Sequence, residues 1–547
     1  MIEMLDPFLF LVIAGVFLAI TVFLGWKGYK RTISNEQFMI GGGKMSPVVL
    51  ALSYGATFLS TSAIIGFGGI SALYGMGTIW LVVLNLFVGL IVAFLIFGKR
   101  TRKIGKEIGA LSFPDFLGRR FKSPFIQIFS ASVILVGMPI YAAAVLLGGV
   151  NFIDVSLGVN RDMALLTLSV VVAVYVAYGG IVAVMYNDAL QGAILFIGML
   201  VLLIFTYSVL GGVTAANQAL TDMAIYPGVG GLAADGMTGW TSFPSFGSPL
   251  WYTFLSTFIL GVGIGALAQP QLAVRYMTTD SSRSLNKAMM VGGVFILVIV
   301  GAAYTVGPLS NVYFFNEYGM TAIEYTGNTD MIIPTFVDLI FKDVFLGDVF
   351  VALFLLALIC AALSTLSSLL HTMGSSVGYD IWRYIRAWRG GVDNSMEVMA
   401  GKDRGLPKAM KASRIGTMLM MIIVVVITYY MPVSIIAKAT AIFMGFTAAT
   451  LLPAYAYGIF YDSPSASAAK CSIVVGAIAW SLWAFFIHTS TSVNVGLCRA
   501  LFGKDSLATF PWANVDPLII GLPISILTLI VALMVFKNRA ASRSTVE

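Results

Sequence analysis

Runs of roughly twenty apolar residues recur along nearly the whole chain. That is the length an α-helix needs to cross a bilayer core about 30 Å thick. Of 547 residues, 59% are hydrophobic and only 10% charged, where a soluble domain carries about 25% charged residues. The reading is an all-α polytopic membrane protein. A membrane barrel would show short alternating strands between turns instead. Thirteen spans are predicted, centred on residues 7–26, 46–74, 78–98, 125–150, 162–186, 189–211, 250–276, 285–309, 347–379, 409–431, 433–459, 467–489 and 515–536.

Charge fixes the expected orientation. The start, "MIEMLDPFLF", carries Glu3 and Asp6 where a cleavable signal would be basic, and Lys27, Lys30 and Arg31 follow the first run. No signal peptide is expected, and the N-terminus is expected outside. With thirteen spans, the basic clusters "KRTRKIGKE", "GRRFK", "RYMTTDSSRSLNK", "RYIRAWRGG", "GKDRGLPKAMKASR" and "KNRAASR" then all fall on the cytoplasmic side. The outer loops keep Arg161, Lys342, Arg499 and Lys504. A single misplaced span would invert every later loop, so this bias supports the count as a whole. The loops at about 212–249 and 310–346 are expected to carry short helices over the outer mouth.

Two spans look interrupted. Span two contains "ALSYGATFLSTSAIIGFGG", with Gly55 in a hydroxyl-rich run, and span seven contains "LGVGIGALAQPQLAV", with three glycines before Pro270. Glycine and proline weaken a helix. Glycine also permits close packing, but a pair of broken helices five spans apart points to the binding site of a secondary transporter.

Three stretches resemble the sodium:solute symporter family. "YVAYGGIVAVMYNDALQG" (175–192) is similar to its signature, a Gly-Gly followed by an Asp and a Gln. "AQPQLAVRYMTTDSSRSLNKA" (268–288) is similar to the run after its second broken helix, and "AALSTLSS" (361–368) to its sodium-site helix. The likeness extends over about 36–460. It implies a LeuT-type five-plus-five inverted repeat. The expected division is a leading helix (1–35), a first repeat (36–211), an outer loop (212–249), a second repeat (250–460), and two trailing helices with a cytoplasmic tail (461–547).

The resemblance also implies a use for the hydroxyls crowded into "ICAALSTLSSLLHTMGSS" (359–376). Sodium is a hard cation that prefers oxygen. The family's site maps onto the carbonyls of Ala56, Leu59 and Ala361 and the hydroxyls of Ser364 and Thr365. Ser367, Ser368, Ser375 and Ser376 are expected only to join helices. The resemblance places Asp188 on the inward sodium exit route; a helix N-cap is the plainer alternative. Arg275 is expected to anchor the inner end of its span.

A solute would lie between the broken helices, against Thr57, Phe58, Ser60 and Thr61 on one side and Val262, Ala266, Gln269 and Pro270 on the other. The family's proline transporters carry an Asp where this chain has Phe58, and aromatic residues where it has Val262 and Ala266. That argues against proline and for an apolar, narrow pocket. Lys438 either snorkels to the outer interface or faces a substrate carboxylate. His371 either packs or relays protons.

The expected function is sodium-coupled uptake of a small monocarboxylate, amino acid or related carboxylate through the cell membrane. The expected partners are the solute, sodium and the bilayer, with no nucleic acid and no obligate protein partner. A proton-coupled symporter of the same fold is the nearest alternative. A channel would need a selectivity filter or charged ring, and the sequence shows no such ring. An enzyme would have two histidines, no HExxH and no CxxC to work with; Cys360, Cys471 and Cys498 have no metal-ligand spacing.

Overall fold

The computed structural model describes residues 7–223, 232–342, 347–389, 406–432 and 434–544. Among these there are helices and no strands. Eleven helices are long and apolar enough to cross a membrane, or twelve with one bent pair counted as a span. In chain order the spanning elements are α1 (Phe8–Arg31), the bent pair α2 (Pro47–Phe58) and α3 (Ser62–Tyr74), α4 (Met76–Ile108), α5 (Pro124–Asp154) and α6 (Arg161–Val209). Then come α7 (Pro249–Ala268), the short α8 (Pro270–Tyr276), α9 (Ser282–Tyr318), α10 (Gly347–Arg389), α11 (Lys408–Tyr430), α12 (Ile436–Phe460), α13 (Ala466–Phe486) and α14 (Pro517–Phe536).

The count differs from thirteen at one place. The predicted spans 162–186 and 189–211 form the single 49-residue element α6, with no loop between them. Straight, it would run about 74 Å, more than twice the apolar thickness of a bilayer. It turns instead at Gly180, whose φ of 59° and ψ of −160° are open only to glycine. A Cβ there would come within 2.7 Å of the Phe38 ring.

The first interruption falls later than Gly55. That glycine lies inside α2, where a Cβ would meet the Phe295 ring at 2.4 Å, so its smallness serves close packing. The helix ends at Phe58, and Leu59 takes φ −101°, ψ 83°. The Ser60 hydroxyl accepts from Ser62 N at 3.1 Å, starting α3, whose axis is bent 49° from α2. Hydroxyl-bearing residues compete with the helix for backbone groups, and here they decide where it breaks.

The second interruption is at Gln269, extended at φ −73°, ψ 113°. Proline forces its predecessor out of the helical region, then serves as the first residue of the next helix. Glycines on α7 allow tight approach: a Cβ on Gly263 would sit 2.6 Å from Leu84, and one on Gly265 2.6 Å from Met444.

One half of each broken pair meets the other, around α2 and α8. Met45 N donates to Thr278 O at 2.9 Å, and the Tyr54 and Tyr276 hydroxyls are 3.3 Å apart. The segment between α9 and α10 forms two short helices, Ala322–Thr326 and Thr329–Phe341. The second lies so close to α3 that a Cβ on Gly69 would fall 2.0 Å from Thr329 O.

Gly180→Ala is expected to lower stability by about 1–3 kcal/mol through left-handed strain and the clash with Phe38. Thermal unfolding of the detergent-solubilised protein measures it. Gly15→Ala, with nothing within 4 Å, should leave the midpoint unchanged.

Candidate ion and solute site

The break after α2 exposes carbonyls that membrane lipid cannot satisfy, and α10 lies across it. Ser364 Oγ is 2.9 Å from Ala56 O and 3.2 Å from Ala361 O. Thr365 Oγ1 is 3.2 Å from Ala56 O and 3.1 Å from Thr57 O. Four of the five expected ligands, Ala56, Ala361, Ser364 and Thr365, are therefore together. The α10 hydroxyls reach Ala56 and Thr57 rather than Leu59, whose backbone N instead closes α2 onto Gly55 O at 2.8 Å. All of these residues are buried.

Next to this cluster lies a fully buried ion pair. Arg275 Nη2 is 2.7 Å from Asp188 Oδ2, with neither side chain exposed. Arg275 also donates to Ser53 Oγ (3.0 Å), Gln271 O (2.7 Å), Thr57 Oγ1 (2.6 Å) and Ser368 Oγ (2.6 Å). Asp188 accepts from Ser53, Ser367 and Ser368 at 2.9, 3.1 and 3.3 Å. Arg275 thus anchors α8 from a fully buried position, through α2, α6 and α10. Asp188 is not an N-cap, since α6 turns eight residues earlier at Gly180. Ser367 and Ser368 contact the carboxylate as well as their own helix. Ser375 bonds to the His371 carbonyl of its own helix, not to another element. The sequence held a signal for the pair: one acid and one base inside apolar spans, which seek each other.

The expected solute residues divide into two groups. Phe58 and Ala266 both line Gly89, where a Cβ would lie 3.0 and 3.5 Å from them. Val262 and Pro270 are buried nearby on the second broken pair. Gln269 donates to Gly265 O and Thr447 Oγ1, each at 3.0 Å. At the first break, Ser60 accepts from Tyr141 OH at 3.2 Å, and Thr61 donates to Val145 O at 2.7 Å. Tyr141 stacks on Phe443 at 5.6 Å. The sequence does not single out Tyr141 or Thr447: each lies in a helix that stays continuous, although Pro139 and Pro453 lie within those helices.

Lys438 stands apart. It is in the first turn of α12, nine residues before Thr447, or about 13 Å along the axis. Its charge acts on Asp330 and His488 instead. Asp330 Oδ2 accepts from Ile435 N and Ile436 N at 3.1 and 3.4 Å, capping α12 from another element. His371 Nε2 lies 2.9 Å from Phe38 O, with the rings 5.3 Å apart, which is a packing role.

A model of the sodium:solute symporter family matches residues 38–476. The chain belongs to that family. Relatives include the osmoregulated proline transporter OpuE of Bacillus subtilis, 24% identical over 499 residues (89% of this chain, 91% of the relative). The high-affinity proline transporter PutP of the same organism is 25% identical, covering 84% and 89%. The sodium/pantothenate symporter of Haemophilus influenzae is 24% identical, covering 82% and 84%. In fold the chain resembles a Na+-coupled sialic acid symporter solved in a substrate-bound outward-open state, with a TM-score of 0.72 at 18% identity over 96% of each chain. The fold is thus LeuT-type, and the protein is a multi-span membrane transporter.

Arg275→Met strands the Asp188 carboxylate among apolar helices and should cost about 3–5 kcal/mol; Asp188→Leu in the same chain should recover much of it, as unfolding midpoints will show. At the start of α12, burial lifts the Asp330 carboxyl from 3.8 to about 6, against the pull of the Ile436 and Ile435 amides and of Lys438. The folded chain keeps that proton to higher pH than the unfolded one. This group's contribution to stability therefore falls as pH rises from about 4 to about 6, and Asp330→Asn should flatten that part of the unfolding profile.

Proposed function

We propose that this protein carries a small organic solute into the cell by sodium-driven symport with alternating access. The observation behind this reading is the set of neutral oxygens from Ala56, Thr57, Ala361, Ser364 and Thr365 where the interrupted α2 meets α10. Carbonyls and hydroxyls suit a monovalent hard cation. They also leave no unpaired carboxylate once the ion has gone. Ser364 and Thr365 would turn their lone pairs to sodium, and either Thr57 or Leu59 would complete the cage.

On this reading, residues 36–211 and 250–460 are the inverted repeats, 1–35 and 461–547 are additions, and 212–249 lies outside. The N-terminus is outside and the C-terminus cytoplasmic. Sodium ties α2 to α10 and so favours the state that holds solute, by differential affinity. The Asp188–Arg275 pair links α6 to α8, that is, one repeat to the other. We read it as the inner closure, which must part before sodium leaves past Asp188. The membrane potential adds about 2.3 kcal/mol per charge per 100 mV.

The solute would lie between Phe58, Val262 and Ala266 on the apolar side and Ser60, Thr61, Gln269, Tyr141 and Thr447 on the polar side. Such a lining fits a monocarboxylate, a small amino acid or a related carboxylate, and Phe58 argues against proline. Lys438, a helical stretch further out, would attract an anion at the mouth rather than hold it in the pocket.

Proteoliposomes under an inward sodium gradient, screened with short carboxylates, amino acids, pantothenate and sugars, test this reading. Thr365→Ala should raise the sodium concentration for half-maximal uptake roughly tenfold, about 1.4 kcal/mol of ion binding, with little change in unfolding. Uptake that follows a pH gradient and ignores sodium removal would overturn the reading.

A further inference from the structure

A cavity of about 480 Å³ lies at the inner ends of the broken helices, away from the ion and solute cluster. One wall is the pair Gly42 and Gly43, at φ 69° and 67°. Only glycine adopts this conformation readily, so the wall carries no side chain and its backbone faces the space. Lys44 follows. Arg102 and Lys106, on the cytoplasmic end of α4, form a second wall, and Met277, Thr279 and Asp280 after α8 close the third.

Two polar groups in this lining lack hydrogen-bond partners among the described residues. The Thr279 hydroxyl is buried, with the residue 3% exposed. Arg102 Nε is likewise buried, although its Nη atoms hold Asp280 O at 2.9 Å and Ser282 Oγ at 3.1 Å. Such groups are costly unless something bonds to them. The charged lining comprises Lys44, Arg102 and Lys106 against Glu36 and Asp280, with the Asp280 carboxylate also bonded to Ser284 at 3.0 Å. One positive charge is left over. That balance suits a singly charged anion and disfavours a polyanion.

We propose that this cavity recognises a singly charged phosphate group, with Arg102 and Lys44 as cationic contacts and Thr279 as hydrogen-bond donor. Arginine matches phosphate oxygens with a planar fork. Basic pockets between membrane helices on the cytoplasmic side bind lipid headgroups. The group can come from an anionic phosphodiester lipid or from free phosphate. Either occupant bridges Lys44, ahead of α2, and Thr279, behind α8, where Met45 and Thr278 already join by backbone hydrogen bond. The inference does not depend on which ion or solute is carried.

Purified full-length protein in detergent is examined by native mass spectrometry with phosphatidylglycerol or phosphatidylcholine, and by thermal unfolding with inorganic phosphate. The wild type should retain one phosphatidylglycerol in preference to phosphatidylcholine. Lys44→Gln with Arg102→Gln should weaken that retention by about tenfold or more. Thr279→Val and the exposed Lys106→Gln should each weaken it less, and Lys470→Gln should leave it unchanged. Because Arg102 also holds the Asp280 carbonyl, the Thr279 and Lys106 variants keep the test informative should the double variant fold poorly. Stabilisation by inorganic phosphate, lost in the variants and without lipid retention, would support the site and assign it to the free anion. Equal retention by the wild type and all variants, with no response to phosphate, would overturn it.

Discussion

A helix cannot be interrupted in a bilayer unless something other than lipid takes up the freed backbone groups. That constraint shapes this molecule. The α2 break leaves Ala56 and Thr57 carbonyls in the core, and α10 meets them with Ser364 and Thr365. The same oxygens that make the break tolerable form a neutral cluster, so on the proposed reading structural necessity and ion chemistry draw on one set of atoms. The second break, at Gln269, is handled differently. There the Gln269 side chain bonds to Gly265 O and to Thr447 on α12. The two breaks consequently have unlike chemistry: one presents oxygen lone pairs, the other an amide.

The buried ion pair raises the opposite problem, because desolvating two charges costs several kcal/mol each before their attraction offsets it. Here the loss is reduced by saturation. Arg275 donates to Ser53, Gln271, Thr57 and Ser368 as well as to Asp188. Four of these five partners lie on α2, α6 and α10, so the guanidinium binds α8 to three other elements at once. A contact of this kind is strong while every partner is in place and weak once one is withdrawn, since the remaining buried polar groups are then unsatisfied. It is a suitable element for a state change and a poor one for gradual deformation.

How much of this was legible depended on whether a residue leaves a local mark. Apolar run lengths and the sorting of Lys and Arg gave the spans, because both follow from the bilayer alone. The junction between the fifth and sixth spans lies at Gly180 instead of 187–188, because a single backbone conformation makes the turn and no polar loop marks it. Pro270 marked the second break to within one residue, since proline acts through covalent geometry. Gly55 misplaced the first by four residues, because glycine signals close approach and helix weakness alike, and Phe295 shows that approach was the reason here. Ser364 and Thr365 were found through a motif. Tyr141, Thr447 and the partnership of Arg275 with Asp188 were not, since each depends on residues far away in sequence coming together.

On the proposed reading, the two mouths of the pathway are also held by different physics. The inner closure is then a charge pair with hydroxyl support. At the outer one, the Asp330 carboxylate caps α12 through the Ile435 and Ile436 amides, Asn328 bonds Ser434 at 2.9 Å, and Gly69 lets Thr329 O approach α3. Helix-cap bonds of this kind are worth about 0.5–2 kcal/mol, whereas removing one partner of a buried ion pair costs about 3–5. An ion bound at the α2–α10 cluster can shift an equilibrium only by its differential affinity for the two states, typically about 1–3 kcal/mol. That is enough to bias closures built like the outer one. It is not enough to break the inner pair outright, so the inner pair must exchange partners as it opens: the seryl and threonyl hydroxyls of α2 and α10 that already surround Asp188 and Arg275 have to keep each charge solvated through the change.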